Sequence, residues 1–543
     1  MICSPKLKVL AARIVHSDVV HLFPAACIIV AAVAPAKSGD LLSNPGFESD
    51  PVGQTTSLPG WNAFGGNTYG ETSPAIAHGG TNYFKVYQQF VNSVNYSGIY
   101  QDYISGSGAV YKADGWAYEL SSDELAGQNI GWIEVTFRDA NANILALYRS
   151  ALINTNAVAS GSFPLNTWVD LPVTNQYNPA TLNITNTVTQ LVAPPGTFFV
   201  RYQITLQGDA NYSNGSMYFD DLNLVQTGGA PYGNWNITWS DEFNGTTINN
   251  NIWTYDIGNG SGGWGNNELE YYTSRTNNAF VSGGLLHIVA NLESYGGQPY
   301  TSARIKSQGL FSFLYGRLEW RARLPGGVGF WPALWLLGTN ISTSTGWPGC
   351  GEMDVVENNG GNTGFVQGSL HSGSNETGYY NFFGGGSVTN FHTYTLDWTT
   401  NAILFYVDGH LYQTQTSWTS SVGGTYPFPF NQPFFLIMNL AVGGNYLSVN
   451  GTNLTVAQIN AGTSFPSEML VDYVRIYSQT DPLQISIART NSSLLLAWPS
   501  NIVCHLQTQT NSLGAIWIDA LTGTSQVALI PTNNAAFYRL ASP

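Results

Sequence analysis

The stretch that decides the architecture is Gly351-Glu352-Met353-Asp354-Val355-Val356-Glu357-Asn358, which places three carboxylates within six residues. The apolar residues between the acids favour a β-strand. Successive side chains of a strand alternate between its faces, so Glu352 and Asp354 share one face while Glu357 would point the other way. One extra residue at Val355-Val356, a β-bulge, would restore the phase. The sequence therefore predicts a bulged strand that presents all three carboxylates on one side.

Three like charges on one strand face are costly unless at least one carboxyl is protonated or tightly hydrogen-bonded. A solvated acidic face is therefore the weaker interpretation of this strand. Double-displacement cleavage of a glycosidic bond needs such a group, because one carboxylate attacks the anomeric carbon while a neutral carboxyl protonates the leaving oxygen. Retaining enzymes hold the two carboxyls about 5–5.5 Å apart, so the side chains must converge from a bent sheet.

The composition outside this strand favours an all-β protein. Only 9% of the 543 residues are charged, while 13% are aromatic and Gly, Asn, Ser and Thr are abundant. Amphipathic surface helices draw on Glu, Lys and Arg, whereas short strands joined by Gly- and Asn-containing turns suit this composition. Few windows show helical periodicity, which argues against a (β/α)₈ barrel and its eight helices.

The formal charge of −15 argues against nucleic acid and anionic membrane as partners, and mildly against sulfated or uronic-acid polymers. Aromatic-rich, charge-poor surfaces suit neutral sugars, whose apolar ring faces lie on an indole. We expect a monomer that acts on a neutral polysaccharide. The cysteines of the chain build no disulfide framework or zinc motif, because Cys3 and Cys27 fall in a leader and only Cys350 and Cys504 remain.

The chain divides into a leader and three β units. Residues 1–36 have the features of an export signal: a basic start, an apolar stretch over 23–36 and the small-residue site Ala34-Pro35-Ala36. We therefore expect secretion, with an uncleaved membrane anchor as the alternative. A first unit spans residues 40–227 and, after a Gly/Pro hinge, a second spans 233–479. Residues 483–543 form a small terminal β module.

The first unit resembles the β-jelly-roll carbohydrate-binding modules of the galactose-binding-like type. The resemblance rests on Asn44-Pro45-Gly46-Phe47-Glu48, Gly60-Trp61 and Phe219-Asp220-Asp221-Leu222-Asn223-Leu224. It implies that Glu48 and either Asp220 or Asp221 hold a structural calcium. A purely structural β-sandwich spacer is the alternative, since the sequence does not locate a binding face.

The second unit resembles glycoside hydrolase family 16, in the bulged E-x-D-x-x-E form of laminarinases. Matching segments over residues 235–478 are Trp239-Ser240-Asp241-Glu242-Phe243, Gly263-Trp264-Gly265-Asn266-Asn267-Glu268-Leu269, Thr301-Ser302-Ala303-Arg304-Ile305, Trp331-Pro332-Ala333-Leu334-Trp335 and Val471-Asp472-Tyr473-Val474-Arg475. The resemblance implies a concanavalin-like β-jelly-roll sandwich. Two departures stand out: Cys350 precedes the catalytic strand, and Glu270 stands where laminarinases often have Gln.

By this resemblance Glu352 would be the nucleophile, Glu357 the acid/base and Asp354 the supporting acid. The implied substrate-binding residues are Trp264, Asn266, Arg304, Trp331, Trp335 and His371. Core packing remains the alternative for Trp331 and Trp335, a surface position for Arg304 and a structural role for His371. No cofactor is expected for catalysis.

A structural calcium is implied on the face away from catalysis, held by Glu242, the backbone carbonyl of Gly284 and Asp472. Oxygen-only ligands suit calcium. Asp472 could instead be an acid at a strand edge.

The expected activity is endo-hydrolysis of β-1,3-glucan with retention at the anomeric carbon, with mixed β-1,3/1,4-glucan as a second substrate. One alternative keeps the chemistry but changes the polymer to agar, carrageenan or porphyran. Another is a non-catalytic β-glucan-recognition protein, although such proteins lose one or both glutamates. Transglycosylation stays open, because it depends on how well acceptor sites compete with water.

Overall fold

The computed structural model describes residues 40–50, 58–66, 68–72, 75–154, 163–229, 235–382 and 385–479, together with six strands beyond residue 485. The predicted export signal over 1–36 lies outside the described residues, as does Cys504. Residues 37–479 form one compact unit. Among the described residues, no helix is both long and apolar enough to cross a membrane.

The N-terminal part of this unit is a sandwich of two antiparallel sheets. One sheet has the order β1-β4-β12-β6-β7-β9-β10 and the other runs β11-β5-β13-β3-β2, with β8 beside β5. The strands are β1 (Asn62–Phe64), β2 (Thr68–Thr72), β3 (Asn82–Tyr87), β4 (Asn95–Ile104), β5 (Val110–Tyr118), β6 (Ile130–Arg138), β7 (Ile144–Arg149), β8 (Val169–Asp170), β9 (Asn175–Tyr177), β10 (Ile184–Thr187), β11 (Leu191–Val192), β12 (Phe199–Gly208) and β13 (Ser216–Gly228).

The following part is a second, larger sandwich. Its strands are β14 (Trp235–Asp241), β15 (Thr254–Asp256), β16 (Glu270–Tyr272), β17 (Ala279–Ser282), β18 (Leu285–Tyr295), β19 (Gln298–Ser302), β20 (Arg304–Lys306), β21 (Gly316–Arg323), β22 (Phe330–Gly338), β23 (Glu352–Glu357), β24 (Phe365–His371), β25 (Asn375–Asn381), β26 (His392–Trp398), β27 (Ile403–Val407), β28 (His410–Gln415), β29 (Phe434–Val442) and β30 (Ser467–Gln479). The helical elements are a π-turn at Gly263–Asn267, 3₁₀ turns at Thr339–Ser342 and Asn445–Leu447, and the helix α1 (Val456–Gly462).

The larger sandwich packs a seven-stranded sheet, β15-β20-β29-β22-β23-β24-β25, against the sheet β17-β18-β30-β21-β26-β27-β28. One hydrophobic core lies between them, with fully buried side chains such as Trp320, Trp398 and Met353. The predicted all-β jelly-roll class is confirmed. The acidic strand β23 lies inside the seven-stranded sheet, so its backbone is fixed on both edges.

The two sandwiches meet through a small apolar cluster. Ile104 and Phe198 of the N-terminal part pack with Trp235, Leu404 and Tyr406 of the larger sandwich. A β-bridge joins Tyr103 to His410. The N-terminal sandwich is thus packed against the sheet that does not carry the acidic strand.

The C-terminal strands form two small antiparallel sheets, described here by themselves. Their orders are β31-β32-β35 and β34-β33-β36. The strands are β31 (Ser486–Thr490), β32 (Ser493–Ala497), β33 (His505–Gln509), β34 (Ile518–Thr522), β35 (Gln526–Leu529) and β36 (Phe537–Ala541).

Candidate active site

Strand β23 contains the β-bulge that its sequence predicts. Against β24, Asp354 pairs with Ser369 and Glu357 pairs with Gln367, so three steps on β23 oppose two on β24. Against β22, the register shifts between the partners of Leu334 and Trp335. The apolar residues of the bulge point into the core, with Val356 fully buried. The carboxylates are therefore turned to the opposite face of the sheet.

Glu357 lies in a pocket of donors at one end of this strand. Its side chain is only 8% exposed. The Trp331 indole donates to Glu357 Oε1 over 3.0 Å, and the Gln367 amide donates to Oε2 over 3.3 Å. Both oxygens are thus fixed, and the carboxyl is held in one orientation.

Glu352 lies at the other end of the strand, half-buried and beside a more exposed aromatic side chain. Trp347, which is 59% exposed, donates its indole N–H to Glu352 Oε2 over 3.2 Å. A carboxylate with one oxygen held in this way and one side open to solvent suits attack on a bound molecule.

Asp354 connects the strand to a histidine on β24. His371 Nε2 lies 3.1 Å from Asp354 Oδ2, and His371 Nδ1 lies 3.0 Å from the Asn375 amide oxygen. Burial alone would lower the pKa of His371, but the hydrogen bond and charge of Asp354, with the charge of Glu352, raise it to about 10. The imidazole is therefore a cation among three carboxyl groups.

The carboxyl groups differ from free glutamate and aspartate in their proton affinity. Burial first, and then the charge of Asp354, raises the pKa of Glu357 to about 8. The same two causes raise the pKa of Glu352 well above its usual value, while the His371 cation opposes that rise. At neutral pH Glu357 can therefore carry a proton, and the positive charge of His371 favours ionisation of Glu352.

Aromatic side chains surround the carboxyls. Trp331 stacks on Tyr446, with ring centroids 5.0 Å apart, and Trp335 donates to the Asn439 side chain over 2.8 Å. The Arg304 guanidinium lies 4.7 Å from the Trp335 ring and 5.0 Å from the Trp264 ring. These rings offer flat apolar surfaces next to hydrogen-bonding groups, which is the chemistry that sugar rings require.

Trp264 and Asn266 are positioned by the π-turn at 263–267, whose backbone takes left-handed conformations. Gly262 and Trp264 have φ values of 60° and 55°. The Asn266 amide donates to Glu268 Oε1 at 3.5 Å. The structure thus brings the predicted residues Trp264, Asn266 and Arg304 to one side of the carboxyl strand.

Comparison with known proteins identifies the family. The model of glycosyl hydrolases family 16 matches residues 265–460. A β-glucanase of Rhodothermus marinus is 40% identical over 257 residues, which are 45% of this chain and 85% of that protein. The chain belongs to glycosyl hydrolases family 16.

Two further similarities fall on the same region of the family 16 chain. The glucan endo-1,3-β-glucosidase A1 of Niallia circulans is 38% identical over 267 residues, 45% of this chain and 38% of that protein. The laminarinase structure from Rhodothermus marinus is 40% identical over 46% of this chain and 98% of that chain, with a TM-score of 0.40. The N-terminal sandwich lies outside the family match.

The family 16 site needs no catalytic cofactor. Glu352, Asp354 and His371 each offer a ligand atom, and these atoms lie within 4.8 Å of one another. In the structure this trio is already held together by the His371–Asp354 contact. A cation there would compete with the proton that the imidazole carries.

The two carboxylates predicted to hold calcium in the family 16 domain are paired with arginines. Both oxygens of Glu242 accept hydrogen bonds from Arg475, at 2.9 and 2.8 Å, and Asp472 pairs with Arg321. A calcium ion would have to displace these guanidinium groups, so the carboxylates as they stand do not fit it. The calcium at Glu242, Gly284 and Asp472 stays a prediction.

Sequence reasoning missed several residues of the site. Trp347, Gln367 and Tyr446 contact Glu352, Glu357 and Trp331 respectively. The sequence could have indicated Gln367, because it lies four residues before His371 on the same face of β24. It could not have indicated Tyr446, since that residue follows a separate strand of the sheet. Cys350 is buried, and burial followed by the charge of Glu352 raises the pKa of its thiol to about 11.

Proposed function

We propose that this chain is a secreted, retaining endo-glycosidase that hydrolyses internal β-1,3-glucosidic bonds of laminarin-type glucans. One observation carries the proposal: a half-buried glutamate, Glu352, and a buried glutamate, Glu357, whose oxygens accept from Trp331 and Gln367, emerge on the same face of one bulged strand. The names of the similar β-glucanase and endo-1,3-β-glucosidase support a glucan as substrate.

The assigned roles follow from the environment of each carboxyl. Ionised Glu352 attacks the anomeric carbon, the glycosidic bond breaks, and the leaving oxygen takes the proton of Glu357. Water then gives a proton to Glu357 and attacks the same carbon, which releases Glu352 and leaves the product with retained configuration. Asp354 holds His371 beside the nucleophile, where its charge opposes protonation of Glu352.

We also propose that the N-terminal sandwich binds the polymer. Exposed aromatics lie at the end of β4 remote from the larger sandwich: Phe90, Tyr96 and Tyr212. Phe90 and Tyr212 lie in loops that also carry Gln89 and Asn211, Tyr96 lies at the start of β4, and the Gln89 side chain donates to the Tyr96 carbonyl over 2.8 Å. Rings among uncharged amides suit a neutral glucan rather than an anionic one. Their triple alanine variant should lose retention on insoluble β-1,3-glucan without losing activity on soluble laminarin.

Product analysis tests the substrate. Mature protein is incubated with laminarin, mixed-linkage glucan, agarose and carrageenan, and the products are separated by size. A ladder of short oligosaccharides from laminarin is the expected result. Cleavage of a galactan without cleavage of laminarin would keep the two-glutamate mechanism and contradict the proposed substrate. No cleavage of any of the four polymers would favour the non-catalytic glucan-recognition alternative.

A second assay tests the roles of the two glutamates. Glu357→Ala, on a substrate with an activated leaving group, should recover activity when azide is added and give a glycosyl azide of retained configuration. An inverted azide would mean that Glu352 forms no covalent intermediate. Longer products in the same reactions would reveal transglycosylation.

A further inference from the structure

Two glutamates form a second buried acidic group beneath the cleft, on the segment that follows the π-turn. Glu270 is fully buried, and its Oε2 accepts the Val442 backbone N–H over 2.7 Å. Its Oε1 is also buried, and no described residue donates a hydrogen bond to it. The side chain instead contacts the carboxyl of Glu268, which is 6% exposed. In the described part of the chain, neither glutamate forms an ion pair with a basic residue.

Two buried carboxylates in contact cannot both be ionised without a cation, because the charges repel each other and neither is solvated. A single proton removes the conflict. If this proton is on Glu270 Oε1, that oxygen donates a hydrogen bond to the Glu268 carboxylate. All four carboxyl oxygens of the pair then have hydrogen-bond partners. We propose that Glu270 is a positioning residue, which carries this shared proton and thereby holds both walls of the glucan cleft. The inference rests on the proposed function for the identity of the ligand.

Glu268 is the link from this proton to one wall. Its Oε2 accepts the Tyr272 hydroxyl over 2.9 Å, and its Oε1 accepts the Asn266 amide. The Tyr272 oxygen in turn accepts from Asn439 over 3.1 Å, and Asn439 accepts the Trp335 indole N–H. The chain of bonds thus runs from the buried pair to a ring of the cleft.

Val442 is the link to the other wall. It ends β29 and is followed by Gly443-Gly444, which lead to the turn that carries Tyr446. Gly444 lies so close to the Trp331 ring that an added Cβ would be 3.1 Å from it. Trp331 stacks on Tyr446 and donates to Glu357. A displaced Val442 would therefore disturb the side chains that orient the acid/base.

The groups that face the pair do not supply a competing charge. Burial, together with the charges of both glutamates, raises the pKa of Tyr272 well above its usual value, so its hydroxyl stays neutral. The charge of Arg304 opposes that rise, but this guanidinium is paired with Asp256, at 3.0 Å, and forms an ion pair with neither glutamate. Burial, and then the charge of Glu268, likewise raises the pKa of Glu270 well above 4.5.

The pH dependence of thermal unfolding tests the proton. A carboxyl whose folded pKa is raised stabilises the fold fully below its unfolded pKa, near 4.5, and the contribution is lost as pH rises towards the folded value. Glu270→Gln keeps a neutral donor and cannot ionise. Its Tm should therefore exceed that of the unchanged protein by a margin that widens between pH 5 and pH 8, on the order of several °C.

Glu293→Gln is the matched control for that measurement. Glu293 pairs with Arg275, and that hydrogen bond lowers its pKa, so its loss should cost about the same stability at pH 5 and pH 8. If Glu270→Gln instead lowers the Tm at pH 8, Glu270 is an ionised acceptor and the shared proton is wrong. This thermal-unfolding experiment needs no substrate.

Affinity for laminari-oligosaccharides tests the positioning role, with Glu352→Gln as the inactive background. Adding Glu270→Ala should raise the Kd by about tenfold, because Glu268 and Val442 lose their partner, while adding Glu270→Gln should restore the Kd to within about twofold. A folded Glu270→Ala variant with unchanged Kd would make the pair merely structural and overturn the role. Absence of binding by the background protein itself would refute the glucan proposal and leave the Tm arm intact.

Discussion

The larger sandwich contains two groups of neighbouring carboxyls, and the repulsion between their negative charges is reduced in a different way in each group. Around Glu352, Asp354 and Glu357, the imidazole of His371 supplies a cation, held 3.1 Å from Asp354. Around Glu268 and Glu270, no described basic residue forms an ion pair with either carboxyl, and the proposed shared proton removes one of the two charges. Asp354 and Glu357 in the first group and both glutamates of the second are buried, so solvent screens their repulsion only weakly.

This difference distinguishes the catalytic carboxyls, which react with the substrate, from Glu268 and Glu270, which hold neighbouring residues in place. A carboxyl beside a cation can change its charge during a reaction at modest cost, as Glu352 does when it bonds to the sugar and Glu357 does when it gives up its proton. A carboxyl pair that shares a proton in a sealed site has one stable charge state and hence one geometry. The exposed side of Glu352, next to Trp347, agrees with the first role, and the complete burial of Glu270 agrees with the second.

The largest effect that separates the two groups is expected from the same substitution at each. Glu352→Gln removes the nucleophile and should lower kcat on laminarin by about 10⁴-fold or more, with fold and glucan affinity retained. Glu270→Gln should leave kcat within about twofold, because a neutral amide replaces a neutral acid. The measurement is steady-state kinetics near pH 6. Normal turnover by Glu352→Gln would show that Glu352 is not the nucleophile.

A smaller effect is expected when the cation is removed. His371→Gln leaves a neutral side chain beside Glu352 and should raise its pKa further, since an opposite charge at this distance shifts a pKa by one unit or more. Glu352 must be ionised to attack, so the acidic limb of kcat/KM should move up by about one pH unit and activity at pH 5 should fall by about tenfold.

His287→Gln provides the control for that pH profile. His287 also pairs with an acid, Glu468, at 2.8 Å, but it lies on β18 in the other sheet. Its substitution should leave the acidic limb in place. An acidic limb that stays fixed in His371→Gln would mean that His371 does not assist ionisation of the nucleophile.

The sequence predicts local features of the site better than features that depend on distant segments. The bulge and the shared face of the three acids follow from strand periodicity within six residues, and β22 and β24 show them in their register. Trp347, which contacts Glu352, and Tyr446, which contacts Trp331, come from other segments, and only the folded protein brings them to the site. Likewise, no periodicity indicates that Arg475 and Arg321 pair with the acids predicted to hold calcium.

The smallest expected effect concerns the tryptophan that donates to the acid/base. The Trp331 N–H bond to Glu357 favours the carboxylate and so opposes the rise of its pKa. Trp331→Phe keeps a ring but removes this donor, so the pKa of Glu357 should rise above about 8. Because the acid must be protonated, the alkaline limb of kcat/KM should move to higher pH, by about one unit.

Trp335→Phe distinguishes that hydrogen bond from general loss of an indole in the cleft. Trp335 lies on the same strand and donates to Asn439 instead of a catalytic carboxyl. It should alter KM for laminarin without moving the alkaline limb, because no proton of the reaction depends on its N–H. If both variants move the limb equally, the shift reflects altered solvent access. If Trp331→Phe moves the limb downward, Glu357 is not the group that titrates there, and the acid of the reaction must be sought elsewhere among the three carboxyls.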